Sequence, residues 1–145
     1  NNFQLIDANE ASDNQIESLS SVSSFSALHQ IVFSASLPLN YSFLLEEKGK
    51  IVAACPLVVE NKIVNGVNYK IGSLFNLSLP KPLILNYVDN KKIIKKIVRM
   101  IFQEIDEIAC KANISKIQYN FSYMDTFQRK NQAKYHDSQY TYTFS

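Results

Sequence analysis

Residues 91–112 carry an apolar stripe that sets the terms for everything around them. Ile93, Ile94, Ile97, Val98, Ile101, Phe102, Ile105, Ile108, Ala109 and Ala112 recur at i, i+3 and i+4, the spacing of a helix with one buried face. At 1.5 Å per residue the stripe runs about 30 Å. A face that long needs a broad apolar surface, and a sheet supplies one. Asp89 is placed to cap this helix and Asn113 to end it.

The expected strands follow from turn chemistry and alternation. Residues 41–47 and 50–59 are β-rich runs joined through Lys48-Gly49, and the second connects to residues 67–75 through Asn65-Gly66, a strong hairpin signal because both turn residues accept positive φ. These runs predict an antiparallel meander. Residues 51–59 are almost continuously apolar, as in a strand covered on both faces, but Pro56 lacks a ladder donor and implies a bulge or local splay. After Leu79-Pro80-Lys81-Pro82 a short apolar run, 83–87, leads into the helix. Behind it, residues 116–122 alternate with Ile117, Tyr119 and Phe121 on one face. Strand, long helix and returning strand predict a right-handed parallel crossover. Residues 125–134 read as polar and weakly helical, and Tyr140, Tyr142 and Phe144 then alternate as a last strand.

Residues 1–23 form a polar segment, with Ile16, Leu19 and Val22 at helical spacing, and Ser24 reads as the cap of a second short helix over 25–35 that Pro38 and Asn40 stop. The expected fold class is therefore α/β in the α+β sense, a mixed sheet with an antiparallel meander, a long crossover helix and flanking helices. Residues 24–145 form its main domain. The 145-residue length, with 46% hydrophobic and 19% charged residues, suits one compact domain and excludes disordered and fibrous chains. No run reaches the ~18 apolar residues of a membrane span, and the first ten residues lack a signal peptide's basic start, so a cytoplasmic location is expected. The chain starts without Met and stops inside a strand, which suggests a piece of a longer protein.

Charge is unevenly spread. Residues 1–47 hold Asp7, Glu10, Asp13, Glu17, Glu46 and Glu47 and no Lys or Arg, whereas Lys91, Lys92, Lys95, Lys96 and Arg99 crowd the start of the long helix. These cations oppose the positive end of the helix dipole. Either an anion such as a nucleotide-sugar diphosphate or an RNA backbone offsets that cost, with Lys92, Lys96 and Arg99 as contacts, or the five form a solvated polar face. An isoelectric point near 8.5 does not by itself mark a nucleic-acid binder. Cys55 and Cys110 are far apart in apolar contexts and read as buried free thiols; with only two His they make no metal set. His29 reads as a surface or capped core residue, and His136 as a loop residue. Asp125 or Asp137 suits a base for an attacking amine, but nothing selects either, and no catalytic residue is assigned.

The order of elements, with residues 49–57, the loop Leu79-Pro80-Lys81-Pro82-Leu83, residues 109–119 and Thr141-Tyr142-Thr143-Phe144, resembles the first GNAT-like half of FemAB-type aminoacyl- or peptidyl-transferases. The resemblance implies a bacterial transferase that moves an acyl or aminoacyl group onto an amine, such as a peptidoglycan-precursor-like acceptor. Acyl-CoA or aminoacyl-tRNA would be the donor in the complete protein, and a second GNAT-like domain would follow. It also places a basic, substrate-facing residue at Lys81, which by its position alone reads equally as an ordinary turn lysine; Tyr87, next to the crossover helix, reads either as a lining residue of the same cleft or as a buried packing tyrosine. The sequence departs from that pattern in two places. The loop has no glycine, and Tyr87-Val88-Asp89-Asn90 stands where acetyl-CoA enzymes carry a glycine-rich phosphate cradle, which Gly49, Gly66 and Gly72 cannot build. No cofactor is therefore expected in this half. The competing expectation is a non-catalytic GNAT-like module that binds an anionic ligand or a partner domain.

Overall fold

The computed structural model describes residues 2–120, 133–136 and 139–143. Chain order is β1 (Phe3–Asp7), α1 (Asp13–Glu17), α2 (Ala27–Ser34), β2 (Phe43–Glu47), β3 (Lys50–Cys55), β4 (Val59–Val64), β5 (Val67–Gly72), β6 (Leu79–Pro80), β7 (Leu83–Ile84), α3 (Lys91–Ala112), β8 (Ile114–Asn120), β9 (Ala133–His136) and β10 (Gln139–Thr143). One sheet has the order β1-β2-β3-β7; the other runs β4-β5-β8-β10-β9, with β6 also on β8. β8 is parallel to β5 and β6 and antiparallel to β10, so the second sheet is mixed. The fold is α+β, with two hairpins and a long crossover helix as expected.

Both hairpins turn where the sequence places them. Lys48 and Gly49 have φ of 50° and 81°, and Asn65 and Gly66 have 51° and 77°, the paired positive angles of a tight hairpin. The meander does not continue through them as one sheet. β3 ends at Cys55, and the chain crosses to the second sheet over Pro56, so the expected local splay is the place where the two sheets part. A proline that cannot donate to a ladder is suited to that break.

Three further expectations change. The first residues are not a separate polar segment: β1 pairs antiparallel with β2, Phe3 opposite Glu47 through Asp7 opposite Phe43. Its half-exposed edge position leaves only a faint apolar alternation. Helix α2 is capped by Ser26 rather than Ser24, in a capping box with His29, because a box needs a partner three residues on. The helix is correspondingly shorter than residues 25–35. The crossover joins β8 to β5 and β6; β7, immediately before α3, pairs with β3 in the other sheet.

Helix α3 spans the expected residues, but Asn90 caps it instead of Asp89, its Oδ1 accepting from the Lys92 and Ile93 amides at 2.9 and 3.3 Å. Asn113 closes it in the left-handed region at φ 55°, a conformation Asn tolerates. Ile97, Ile101, Phe102, Ile105 and Ala109 are buried in a core that also contains Leu44 and Ala53 of the first sheet and Ile117 and Tyr119 of the second. One core thus joins both sheets under one helix. Of the expected weak helix over 125–134, Ala133 and Lys134 lie in β9, as does His136, expected in a loop. The rest of that segment, with Asp125 and Asp137, lies outside the described residues.

Candidate functional site

Residues 79–84 pass from one sheet to the other within six positions. Leu79 and Pro80 lie parallel to Tyr119 and Asn120 of β8, while Leu83 and Ile84 lie antiparallel to Ala54 and Ala53 of β3. Lys81 and Pro82 make the crossing. Pro80 and Pro82 have no N–H to add to a ladder, so the strand is stiff where its pairing changes. Nearby, the other crossing at Pro56 is fastened to β8 of the second sheet and to the residues that lead into β2 of the first. Tyr119 Oη donates to the Pro56 carbonyl at 2.6 Å, Ser42 Oγ accepts from Leu57 N at 2.8 Å and Tyr41 N donates to Leu57 O at 2.7 Å. The Cys55 thiol lies 3.3 Å from Tyr119 Oη and also donates toward the Pro56 carbonyl at 3.7 Å. Complete burial pushes the Cys55 thiol up to about 12, so it stays protonated and is no nucleophile. Cys110, in contrast to its expected burial, is exposed on α3 because it falls off the apolar stripe.

A cleft of about 350 Å³ opens where β6 and β8 end and α2 begins, lined in part by Ser26, Ala27, His29, Ser78, Lys81 and Asn120. Ligands of mixed α/β sheets commonly bind beyond the carboxyl ends of parallel strands. His29 holds the cleft together. Its Nε2 lies 2.8 Å from the Lys81 carbonyl, and its Nδ1 accepts from Ser26 N at 3.0 Å. A carbonyl can only accept and a backbone N–H can only donate, so the ring is neutral with its proton on Nε2. Burial lowers the His29 pKa, the bond to the Lys81 carbonyl works against that, and the positive charge of Lys81 lowers it further. His29 is thus the capped core residue, not the surface one, and its ring stacks on Phe25 at 5.6 Å.

On the opposite wall, Ser78 is only 8% exposed, and its Oγ has no hydrogen-bond partner among the described residues. Buried hydroxyls are nearly always paired. The sequence marks Ser78 and Asn120 only as members of Asn-x-Ser triplets, a pattern frequent in a chain this rich in Asn and Ser and silent about the cleft. Both come to the cleft through the parallel register of β6 on β8, which pairs strands 40 residues apart.

Lys81 is the one expected site residue that the structure places on this cleft. Tyr87 sits beyond the far end of β7. It is 54% exposed, its hydroxyl donates to the Ile51 carbonyl, and the Lys50 ammonium lies 5.8 Å from its ring centre. Partial burial raises its pKa. Lys92, Lys96 and Arg99 are exposed along the outer face of α3, with the Lys96 ammonium 5.3 Å above the Phe3 ring. That stacking occupies Lys96 in holding the helix to the edge strand. Asn90 takes two of the amides that an anion at this helix end would use. Among the described residues no group of His, Cys, Asp and Glu is arranged to hold a metal ion, and no helix is long and apolar enough to cross a membrane.

No family model matches the chain, and no curated protein matches it. Among solved structures it is similar to a conserved protein of unknown function from Enterococcus faecalis V583 described as a probable N-acyltransferase, with 9% identity and a TM-score of 0.46. The similarity covers 82% of this chain and 29% of that one. The chain therefore spans less than a third of the neighbour's length.

Proposed function

We propose that this chain is a GNAT-like domain of a FemAB-like transferase, which moves an acyl or aminoacyl group onto an amine acceptor. The observation that carries the reading is the passage of residues 79–84 from β8 to β3 beside a parallel crossover. The partner change at Lys81 and Pro82 borders the cleft at the ends of β6 and β8, where an extended acyl donor and an amine can be held side by side. The amine nitrogen attacks the carbonyl carbon, a C–N bond forms, the C–S or C–O bond to the donor breaks, and the amine proton passes to a base. Such chemistry gains most from positioning. Lys81, held on a stiff loop whose carbonyl is tied to His29, is the residue we assign to substrate contact.

The start of α3 disfavours one donor in this half. A CoA pyrophosphate at the start of α3 does not fit the described residues, because Asn90 caps those amides and no glycine allows close approach. Aminoacyl-tRNA, held largely by a second domain, is the donor that this reading favours, with a cytoplasmic location and a peptidoglycan-precursor-like amine as acceptor.

The test is transfer by the full-length protein from labelled aminoacyl-tRNA or acyl-CoA to a panel of amines, read by product mass. A product is expected, with kcat/KM at least about tenfold lower in Lys81→Ala, the scale of one lost charge-assisted contact. Folded protein that transfers from neither donor overturns the reading in favour of a silent module binding an anion or a partner domain. The exposed Lys92, Lys96 and Arg99 face is the observation behind that alternative.

A further inference from the structure

Every exposed residue from 91 to 99 of α3 is a cation. Lys91, Lys92, Lys95, Lys96 and Arg99 face solvent, while Ile93, Ile94, Ile97 and Val98 between them are buried or half-buried. Side chains three and four apart on a helix are neighbours, so the five make one continuous patch about 12 Å long. Lys91, Lys92, Lys95 and Arg99 have no side-chain ion pair or hydrogen bond among the described residues; Lys96 lies over the Phe3 ring. From residue 87 to residue 103 the chain holds one carboxylate, Asp89. The placement works against the helix itself, because like charges four apart repel and cations at a helix start oppose its dipole. The fold gains nothing from it, which points to a partner. Four residues ahead of the helix, Tyr87 is 54% exposed with its hydroxyl tied to the Ile51 carbonyl, so the ring is what it offers to solvent. It stands at the same end of the first sheet as the patch. The Lys50 ammonium is 5.8 Å from its centre, and Phe3, beneath Lys96, lies opposite Glu47, which lies opposite Lys50. With Glu47 across the hairpin from Lys50, the unbalanced charge is that of the helix.

We infer that the outer face of α3, with Tyr87, binds a single-stranded segment of nucleic acid through its phosphates and one stacked base. A single anion would sit at the helix start, but Asn90 Oδ1 occupies the Lys92 and Ile93 amides. The attraction therefore comes from side chains spread along the helix, which suits a chain of phosphates. A helix that lies on a membrane buries exposed apolar residues beside its cations, and none is exposed from 91 to 99. An acidic protein segment would meet the charges and leave the ring unused. A base stacks on an exposed aromatic while the phosphates follow the cations. Lysines and a ring face carry no donor and acceptor pattern matched to one base, so binding is independent of sequence. The inference goes beyond the transfer reading and does not rest on it.

The experiment is fluorescence anisotropy of a labelled oligouridylate of about 12 nucleotides, long enough for one such site, titrated with the full chain over a range of KCl. Saturable binding is expected, with log K falling against log salt at a slope of about −3, as for phosphate contacts from Lys91, Lys92, Lys95 and Arg99 on a single strand. Lys92→Gln combined with Lys95→Gln should flatten that slope to about −1.4 and weaken binding about tenfold or more at low salt. Its melting temperature should stay at or above that of the parent, because repelling charges are removed. Tyr87→Leu should weaken binding about tenfold and leave the slope unchanged, the mark of a lost stack rather than a lost charge. Tyr87→Phe, which keeps the ring, should retain most of the affinity. Phosphatidylserine vesicles and polyglutamate, compared at equal charge, should bind at least about tenfold more weakly than the oligonucleotide. The inference is overturned by absence of saturation, by an unaltered slope in the double variant, or by full affinity in Tyr87→Leu. Equal losses in the Leu and Phe variants, or vesicles or polyglutamate bound as tightly as the oligonucleotide, overturn it as well.

Discussion

His29 couples two parts of the molecule that are 52 residues apart, the start of α2 and the Pro80-Lys81-Pro82 loop. Because the ring is held neutral, protonation works against the fold. Below its ordinary value of 6.5 an unfolded His29 takes up a proton that the folded one resists, so stability declines as pH falls from about 6.5 toward the lowered folded value and is unaffected above it. Urea unfolding of the parent and of His29→Ala should therefore differ most at neutral pH, by about 2–4 kcal/mol for a buried ring with two hydrogen bonds. The gap should narrow between pH 6.5 and 5. A gap that widens with acid would mean that the charged ring is the bonded form. The sequence reading left His29 as either a surface or a capped core residue and took Ser24 as the cap, although the Ser26 box three residues upstream is local information; the Lys81 carbonyl is not.

At the level of elements, the parts fixed by short-range chemistry were legible: α3 by its stripe, both hairpins by Lys48-Gly49 and Asn65-Gly66, β8 by its alternation. What local pattern could not show is partnership. β1 reads as polar because an edge strand needs only one buried face. The choice of β5 and β6 over β7 as neighbours of β8 depends on tertiary packing. Gly72 is one place where that choice is written. A Cβ there would lie 2.8 Å from both Cγ1 and Cγ2 of Ile117, its register partner on β8, and Ile117 is fully buried. Gly72→Ala should cost about 1–3 kcal/mol by overpacking. Combined with Ile117→Ala it should cost less than the sum of the single changes by about 1 kcal/mol or more. Chemical denaturation of the three variants checks this, and strict additivity would place the strain elsewhere. Glu60 fastens the following turn in a similar non-local way. Its carboxylate accepts from Ser73 Oγ and from the Phe75 and Asn76 amides, so that although burial alone would raise its pKa, these bonds hold it below the ordinary range.

At the scale of the whole molecule, two sheets share one core and two crossings, and the crossings meet at Tyr119. Its ring is fully buried, and its hydroxyl is the donor to Pro56 O at the point where the first sheet hands the chain to the second. The neighbouring residue, Asn120, lines the cleft. Tyr119→Phe keeps the ring and removes that donor, leaving a buried carbonyl with only the Cys55 thiol, 3.7 Å away, to serve it. The expected cost is about 1–3 kcal/mol. Loss should also be local, because the β2–β3 hairpin has its own ladder while the crossing depends on a few side-chain bonds. Hydrogen exchange should therefore quicken at the Leu57 and Val59 amides more than at those of β2 and β3. Uniform acceleration across both sheets would instead mean that Tyr119 contributes packing alone.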